Sequence, residues 1–291
     1  MFKLIIWIGL GIALYIYAKK EMGKKACLNP RKIKPGSLDV SPQSSEIRIL
    51  LFGDAGSGDA NQKKVAESSA QTCAEKGCDL VLLLGDNFIM DGVSSVNDPQ
   101  FQYKFEEIYP HDLPFYAVFG NHDLRGSWQA QIDYTDISKR WNMPNVNYTF
   151  EAGPVFIQAI NTSCTFCSLW TLFKPSEKPW RLIFGHRPLV TSGRHRGMTA
   201  FERSVIKASK PDFVLSGHNH ILEHIEQDRI DHIVSGGGGA PIHEIPEKTH
   251  PERHFFIQDF GYVWMHLTPS QANVHFYNDD GNEIYHFTRT K

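Results

Sequence analysis

The sequence predicts an α/β fold in which two β-sheets pack together with helices on the outside. Apolar runs at residues 47–52, 79–84 and 114–119 have the length and composition of buried strands. Helical patterns at residues 61–76 and 99–108 separate these runs. Strands that alternate with helices pair in parallel and carry helices on their sheet, so this half of the chain predicts a parallel sheet.

Shorter apolar runs in the second half of the chain add further strands. They lie at residues 148–150, 155–160, 181–184, 212–215, 221–226 and 230–234, with a short helix at 199–208. The tail alternates apolar and polar residues over 262–267, 273–277 and 283–288, as antiparallel strands do. The turn sequence at residues 278–281 is typical of a hairpin. The whole pattern predicts a two-sheet sandwich.

The composition fits one large domain with an appended N-terminal segment. The chain has 291 residues, 41% of them hydrophobic, and a formal net charge of -2. This length is sufficient to bury a sizeable core. Because neither sign of charge dominates, we expect no nucleic-acid partner. Any acidic substrate must then be held by local cations or by metal ions.

An unbroken apolar run fills residues 4–18. As a helix it spans about 22 Å, short of the ~30 Å hydrocarbon core of a bilayer unless the flanking lysines reach the interface. Few small residues mark a cleavage site, so we expect residues 1–26 to form an anchor more than a removed signal. Residues 27–45 carry three prolines and no hydrophobic period, which predicts a linker to a domain at 46–291.

Two observations disagree about the side of the membrane. More Lys and Arg residues follow the apolar run than precede it, which favours a cytoplasmic domain. A leader in front of a globular domain, however, usually directs export. We expect a membrane-anchored or exported protein and favour the extracytoplasmic side.

The chain contains an odd number of cysteines, namely Cys27, Cys73, Cys78, Cys164 and Cys167. The Cys-x-x-Cys pair at 164 and 167 lacks the second pair that a structural zinc site needs. It is compatible with a small disulfide loop and equally with a reduced, buried pair. The redox compartment is therefore left open.

Five apolar runs each end in a glycine followed by residues that can bind a metal ion: Asp54, Asp86, Asn121, His186, and His218 with His220. Ligands gather at the carboxyl ends of strands in α/β sheets, so we expect these residues to converge. His218 and His220 are two positions apart, and on an extended segment their imidazoles point to the same side. The glycines allow the sharp turns and the close approach of backbone to ion.

The donor atoms indicate two metal ions. Carboxylate, amide and imidazole ligands suit iron, manganese or zinc, and the absence of cysteine excludes a thiolate site. A carboxylate can bridge two cations, and Asp86 is the natural bridge. Two metals about 3.5 to 4 Å apart would hold a hydroxide nucleophile and clamp phosphoryl oxygens in an in-line displacement.

The blocks GDAG, GDN, GNHD, GHRP and GHNH, in this order, resemble the calcineurin-like metallophosphoesterase superfamily. The segments GDNFIMDGVSSVNDPQFQYKFEEIY and QIDYTDISKRWNMPNVNYTF resemble the small tartrate-resistant purple acid phosphatases. The resemblance covers residues 47–277. It implies a four-layer αββα sandwich of two mixed sheets flanked by helices. It also implies a dinuclear centre, of iron with iron, zinc or manganese, and phosphomonoester hydrolysis.

Matching motif positions imply a role for each residue. The first metal would be held by Asp54, Asp86 and His220, and the second by Asp86, Asn121, His186 and His218. His122, with Asn121, would contact the substrate, and His122 would steady the phosphoryl group or protonate the leaving oxygen. His195 has the spacing of a second histidine near the leaving group, with a solvated loop residue as the alternative. Arg187 would add a cation for phosphate or remain a surface arginine.

Two positions depart from the pattern of the resembled families. Ile89 stands where purple acid phosphatases carry a tyrosine ligand, so no charge-transfer colour and a weaker grip on ferric iron are expected. Gly56 stands where other members carry a histidine. The stretch between Asn161 and Gly185 is also short, which would open the site or change its specificity.

The leading hypothesis is an acid-phosphatase-like phosphomonoesterase acting on a phosphorylated small molecule or a phosphoprotein. A phosphodiesterase or pyrophosphatase on the same centre is the alternative within the enzyme class. Outside it, a membrane-tethered, non-catalytic binding protein with a decayed site is the rival, suggested by Ile89 and the apolar leader. The sequence does not determine the oligomeric state.

Overall fold

The computed structural model describes residues 31–242 and 250–291. The strands of this part are β1 (Ile47–Phe52), β2 (Leu80–Leu83), β3 (Phe115–Ala117), β4 (Trp141–Asn142), β5 (Tyr148–Ala152), β6 (Val155–Ala159), β7 (Trp180–Phe184), β8 (Phe213–Ser216), β9 (Leu222–Gln227), β10 (Ile230–Ser235), β11 (Arg253–Ile257), β12 (Gly261–Leu267), β13 (Gln271–Asn278) and β14 (Glu283–Thr290). The helices are α1 (Ala60–Lys76), α2 (Trp128–Asp133), α3 (Leu169–Leu172) and α4 (Ala200–Ala208). A π-helical turn (Gln102–Glu106) and 3-10 turns at Asp123–Arg125, Tyr134–Asp136 and Thr165–Ser168 complete the described elements.

The described strands form two seven-stranded sheets. The first has the order β14-β13-β12-β1-β2-β3-β4, and the second has the order β11-β9-β10-β8-β7-β6-β5. Strands β1 to β4 pair in parallel, whereas β12 to β14 continue the sheet in antiparallel pairing. In the second sheet β6, β7, β8 and β10 are parallel. Both sheets are therefore mixed, as predicted.

Alternate residues of the central strands enter different cores. Ile49 and Leu51 of β1 face the second sheet and pack in one core with residues such as Leu215 of β8. Leu50 and Phe52 point to the opposite side, into the core beneath the helices of the first sheet. Side chains alternate across a strand, so a strand that is apolar throughout must be covered on both faces.

A third core covers the outer face of the second sheet. It contains Ile183 of β7, Val214 of β8 and Ile206 of α4. Helix α4 begins with a capping box, in which Thr199 and Glu202 each accept from the other's backbone N–H. The predicted four-layer sandwich of two mixed sheets flanked by helices is confirmed.

The segment predicted as a linker packs on the domain from its first described residue. The backbone N–H of Arg31 donates to Asn145 Oδ1 at 2.7 Å. Leu38 is only 9% exposed and belongs to the core between the sheets, where its carbonyl accepts from the Tyr116 hydroxyl at 2.6 Å. Val40 forms a parallel bridge with Ala152. Residues 31–40 of the predicted linker are therefore held against the domain by isolated apolar and polar contacts, which follow no sequence period.

The predicted anchor at residues 1–26 lies outside the described residues. In the ranges 31–242 and 250–291 no helix is both long and apolar enough to span a bilayer.

Two disulfides join four of the described cysteines. Cys73 pairs with Cys78 and ties the last turn of α1 to the start of β2. Cys164 pairs with Cys167, which agrees with the disulfide-loop alternative for this pair. Cys27 lies outside the described residues. A disulfide limits the freedom of the unfolded chain, so both bonds favour the folded state.

A buried histidine makes the stability of the fold sensitive to acid. Burial, with a smaller contribution from the charge of Arg140, lowers the pKa of His111 from 6.5 to about 4. Its ring faces the Ser69 hydroxyl at 3.3 Å and packs against Phe115. Between these two pKa values the unfolded chain binds a proton at this position and the folded chain does not. The contribution of His111 to the free energy of unfolding is therefore fully present above about pH 6.5 and is lost as the pH falls toward 4.

We predict that the His111→Gln variant loses part of this pH dependence, because glutamine keeps a polar group near Ser69 but does not titrate. Urea unfolding at about pH 7 and about pH 5 should show a smaller drop in the free energy of unfolding for the variant than for the wild type. Equal drops would contradict this assignment.

Candidate metal centre

The carboxyl ends of strands from both sheets meet at one edge of the sandwich. Asp54 follows β1, Asp86 follows β2 and His218 follows β8, and all three have positive φ, at 56°, 53° and 68°. Such φ values strain residues other than glycine and persist only where the surroundings enforce them. Here the Asp54 N–H donates to the Gly85 carbonyl at 3.0 Å, and the His218 N–H donates to Asp54 Oδ2 at 2.6 Å. Turns from the two sheets thus hold each other in place.

Asp54, Asp86 and His186 form a buried cluster whose ligand atoms all lie within 4.8 Å of one another. The three residues are 0%, 2% and 1% exposed. His186 Nε2 lies 3.4 Å from Asp86 Oδ2. Oδ1 of Asp54 has no hydrogen-bond partner within the described part of the chain. A buried carboxylate oxygen without a donor is costly, and coordination of a cation would satisfy it.

Backbone carbonyls fix the orientation of three histidines. Nδ1 of His186 lies 3.0 Å from the Leu84 carbonyl, and Nδ1 of His220 lies 2.6 Å from the Pro241 carbonyl. Nδ1 of His122 lies 2.5 Å from the carbonyl of Met90. Each of these contacts uses Nδ1, so Nε2 is the nitrogen that each ring turns toward the cluster. This arrangement is typical of metal-binding histidines and of oriented catalytic ones.

The remaining predicted ligands lie at the same cluster. Asn121 Oδ1 is 3.2 Å from His186 Nε2, and His218 Nδ1 is 3.1 Å from the same nitrogen. His220 Nε2 lies 3.6 Å from Asp54 Oδ1, the unpartnered oxygen. The structure therefore brings together all six residues predicted as ligands. His220 is grouped with Asp54, whereas Asn121 and His218 are grouped with His186.

His122 lies beside Asp86. Its N–H donates to Asp86 Oδ1 at 2.8 Å, and its Nε2 is 3.9 Å from Asp86 Oδ2. The side chain is partly exposed, unlike the buried cluster. His122 therefore lies at the exposed side of the cluster.

His195 belongs to a loop that is fixed against the centre. Its ring centroid lies 4.5 Å from that of His218. Its N–H donates to Asn219 Oδ1 at 2.7 Å, and Asn219 Nδ2 donates to its carbonyl at 3.0 Å. Glu223 is fully buried and accepts from Thr191 and from the Ser192 backbone of the same loop. These contacts hold the loop of His195 against the centre.

Arg187 is partly exposed and lies 3.8 Å from Glu202 of α4. Its backbone N–H donates to Thr162 Oγ1 at 3.0 Å. Its charge also lowers the pKa of His218, after burial and the charges of His186 and His195. The ion pair with Glu202 offsets part of the positive charge of Arg187.

Three glycines of the motifs leave no room for a side chain. A Cβ on Gly120 would lie 2.1 Å from Asp86 Oδ1, and a Cβ on Gly217 would lie 2.4 Å from Asp54 Oδ2. A Cβ on Gly56 would lie 2.2 Å from the Asn87 carbonyl. A histidine ligand at position 56 is thus sterically excluded with this backbone. Ile89 also lacks a donor atom, so the candidate ligands on the Asp54 side, among the residues that the structure describes, are Asp54, Asp86 and His220.

The electrostatics of the cluster favour a bound cation. Burial raises the pKa of Asp54 to about 8. Burial acts in the same direction on Asp86, but the charge and hydrogen bond of His186 outweigh it and lower the pKa of Asp86. For His186 burial opposes protonation, and the charge of Asp86 outweighs it and raises the pKa to about 9. A proton on His186 balances carboxylate charge that metal ions would balance instead, so metal binding should release protons.

Asp123, which sequence reasoning did not single out, supports the turn that carries Asp86. It is fully buried and accepts from the Gly120 N–H at 2.8 Å and from the N–H groups of Asn87 and Phe88 at 3.1 Å. Gln131 Nε2 donates to it at 3.1 Å. The signal was present in the sequence, because Asp123 is the last residue of the GNHD block. Asn219 was likewise inside the GHNH block.

We predict that Asp123→Ala destabilises the protein by about 3 kcal/mol, because it leaves several buried N–H donors without an acceptor. The Asp123→Asn variant retains one acceptor oxygen, so its free energy of unfolding should fall by less than that of Asp123→Ala. Urea unfolding of chelator-treated protein measures both changes independently of bound metal. An Asp123→Ala variant as stable as the wild type would refute the supporting role.

Comparison with known proteins agrees with this geometry. The family model described as calcineurin-like phosphoesterase matches residues 47–222. The chain belongs to the calcineurin-like phosphoesterase family. Membership makes it a metal-dependent phosphoric ester hydrolase by family. The family uses a dinuclear metal centre, and this chain has a buried group of Asp54, Asp86 and His186 that could hold a metal ion.

Curated relatives include plant and animal acid phosphatases. The chain is 26% identical over 297 residues to purple acid phosphatase 3 of Arabidopsis thaliana, covering 87% of this chain and 80% of the relative. It is 25% identical over 298 residues to human tartrate-resistant acid phosphatase type 5, covering 82% of this chain and 89% of the relative. The predicted resemblance to purple and tartrate-resistant acid phosphatases is confirmed.

Solved structures share the fold. The structure titled GAP50, the anchor in the inner membrane complex of Plasmodium, has a TM-score of 0.74 at 22% identity, covering 84% of this chain and 89% of that one. Purple acid phosphatase PPD1 from yellow lupin has a TM-score of 0.69 at 18% identity, covering 86% of this chain and 54% of that one. At these identities the likeness concerns the fold alone.

Proposed function

We propose that the protein is a phosphomonoesterase that uses a dinuclear metal centre at the Asp54, Asp86 and His186 cluster. The observation that carries the proposal is the convergence of six oxygen and nitrogen donors from five strand ends on one buried, acceptor-rich point. Its similarity to purple and tartrate-resistant acid phosphatases supports the choice of monoesters.

The grouping of donors supports two adjacent metal positions. Asp54, Asp86 and His220 would hold one metal, and Asp86, Asn121, His186 and His218 would hold the other. When bound, the two ions supply Lewis acidity and an activated water for attack on phosphorus. Imidazole, amide and carboxylate donors suit iron paired with iron, zinc or manganese.

His122 is the candidate for proton transfer to the leaving group. The Met90 carbonyl fixes Nδ1, so Nε2 is the nitrogen that faces the centre. A protonated Nε2 would donate to the leaving oxygen of a phosphoester bound at Asn121 and the metals. His195 approaches from the opposite loop and would orient or protonate the same group. Arg187 would contribute positive charge toward a phosphoryl oxygen.

We predict that Asp86→Asn lowers kcat/KM for p-nitrophenyl phosphate by more than about 100-fold. Mutation of residues that only hydrogen-bond to metal ligands typically lowers activity about 10–100-fold, and loss of a ligand itself should lower it further. The matched control is Asp228→Asn, the same chemical change at an exposed ion pair with Lys207. The control should retain wild-type activity. Metal-loaded wild-type protein that hydrolyses no phosphoester across a broad pH range would disprove the proposal.

A phosphodiesterase or pyrophosphatase activity on the same centre is the second candidate, since two clamped metals also serve these reactions. We predict a higher kcat/KM for p-nitrophenyl phosphate than for bis-p-nitrophenyl phosphate or pyrophosphate. A reversed order would assign the centre to diesters or to pyrophosphate. Phosphorylated small molecules and phosphoproteins are the expected natural substrates.

A non-catalytic role is the rival that Ile89 and Gly56 raise, because the Asp54 side has three candidate protein ligands within the described part of the chain. The other donors are all in place, which favours catalysis. Elemental analysis of protein grown with iron, manganese and zinc separates the two. Fewer than one metal per chain would favour a binding protein with a decayed site.

We further propose that residues 1–26 anchor the domain to a membrane or direct its export, with the extracytoplasmic side favoured. The apolar run at 4–18 supports this. Deletion of residues 1–26 should move the protein from the membrane fraction to the soluble fraction. An unchanged distribution would argue against an anchor.

A further inference from the structure

A second group of metal-binding side chains lies on the hairpin of β13 and β14. His275, Glu283 and His286 offer ligand atoms that all lie within 4.8 Å of one another. His275 Nδ1 is 2.9 Å from Glu283 Oε2, and His286 Nδ1 is 2.8 Å from Glu283 Oε1. The two imidazole centroids are 5.6 Å apart with an interplanar angle of 29°. Each carboxylate oxygen of Glu283 thus lies within hydrogen-bond distance of one histidine nitrogen.

A β-bulge places Glu283 on the same face of the sheet as His275 and His286. His275 and His286 are direct cross-strand partners and share one face of the sheet. Glu283 and His286 are three positions apart, so a regular strand would place them on opposite faces. The register shifts between Phe276 and Tyr277, so that Glu283 pairs with Tyr277 and shares the face of His275. Without this bulge, Glu283 would lie on the opposite face from the two histidines.

We propose that His275, Glu283 and His286 bind a divalent transition-metal ion of the zinc type, separate from the catalytic centre. Two imidazole nitrogens and one carboxylate form a ligand set that Zn²⁺ accepts, with the fourth position open to water or an external ligand. Ligands at about 2.0–2.2 Å from zinc in a tetrahedron lie about 3.4 Å from each other. The nitrogen–oxygen distances of 2.8 and 2.9 Å need to open only slightly to admit the ion.

The exposure of the group suits a metal that enters from solvent. His286 and Glu283 are exposed, whereas His275 is partly buried. Although slight burial acts to raise the pKa of Glu283, hydrogen bonds and charge from the histidines outweigh it and lower the pKa. The carboxylate is therefore ionised at neutral pH and available as a ligand. A bound ion would join β13 to β14 at the outer edge of the first sheet.

Lys76 competes with a metal for the carboxylate. Its Nζ lies 3.7 Å from Glu283 Oε2 and stands over the rings of Trp264 and Tyr277 at 5.5 and 5.3 Å. A cation so close lowers the affinity of the group for a second one. Removal of the lysine charge should therefore strengthen binding, whereas removal of a ligand should weaken it. These opposite signs separate a real site from general loss of structure.

The experiment is a Zn²⁺ titration at neutral pH in competition with a chromophoric chelator, on the full chain. Relative to His286→Gln, the wild type should bind one additional equivalent, or bind it at least about tenfold more tightly. Lys76→Gln should bind that equivalent more tightly than the wild type. The matched control is His254→Gln, a half-exposed histidine 3.8 Å from Glu226, which should behave as the wild type.

The catalytic centre also binds metal, so the difference between wild type and His286→Gln is the quantity that counts. Equal stoichiometry and affinity in these two proteins would overturn the proposal. Hydrolysis of p-nitrophenyl phosphate by His286→Gln should match the wild type, which tests the integrity of the catalytic centre separately. A second readout is hydrogen exchange, in which Zn²⁺ should slow exchange of β14 amides in the wild type and not in His286→Gln.

Discussion

The structure depends on the burial of two carboxylates at the meeting edge of two sheets. Asp54 and Asp86 are almost fully buried, and an isolated charge in such surroundings costs several kcal/mol. His186 offsets part of this cost, but one oxygen of Asp54 still has no donor in the described structure. The site is therefore built to bind cations, and its chemistry follows from that requirement.

The backbone around the centre is arranged to keep these carboxylates in place. Asp54 and Asp86 adopt positive φ, and Gly120 and Gly217 lie so close to their oxygens that any side chain would displace them. The carboxylate of Asp123 accepts hydrogen bonds from three backbone N–H groups around the turn that carries Asp86. Two packed cores, one on each face of the first sheet, make the strand ends rigid. Rigid strand ends are what allow residues far apart in sequence to act at one point.

Much of the fold and the centre could be predicted from the sequence because both depend on local patterns. Apolar strands ending in glycine and a polar residue identified Asp54, Asp86, Asn121, His186 and the histidine pair, and the structure brings them together. Asp123, Asn219 and Glu223 were missed. Their roles depend on contacts with distant turns, and a buried carboxylate that binds N–H groups has no sequence period.

Three other features could not be predicted for the same reason. Residues 31–40 pack on the domain through single contacts, such as that of the Leu38 carbonyl with Tyr116, and such contacts leave no pattern in the sequence. The Cys73–Cys78 pairing could not be chosen among five cysteines without knowing how α1 leads into β2. The His275, Glu283 and His286 group was hidden because its residues share a face only through a bulge.

The most direct test of the account is a crystal structure of the full chain with Mn²⁺ and anomalous diffraction data. We predict two anomalous peaks about 3.5 to 4 Å apart, both in contact with Asp86. One peak should contact Asp54 and His220, and the other should contact Asn121, His186 and His218. A single peak at this cluster, or none in crystals that hold Mn²⁺ elsewhere, would contradict the dinuclear centre.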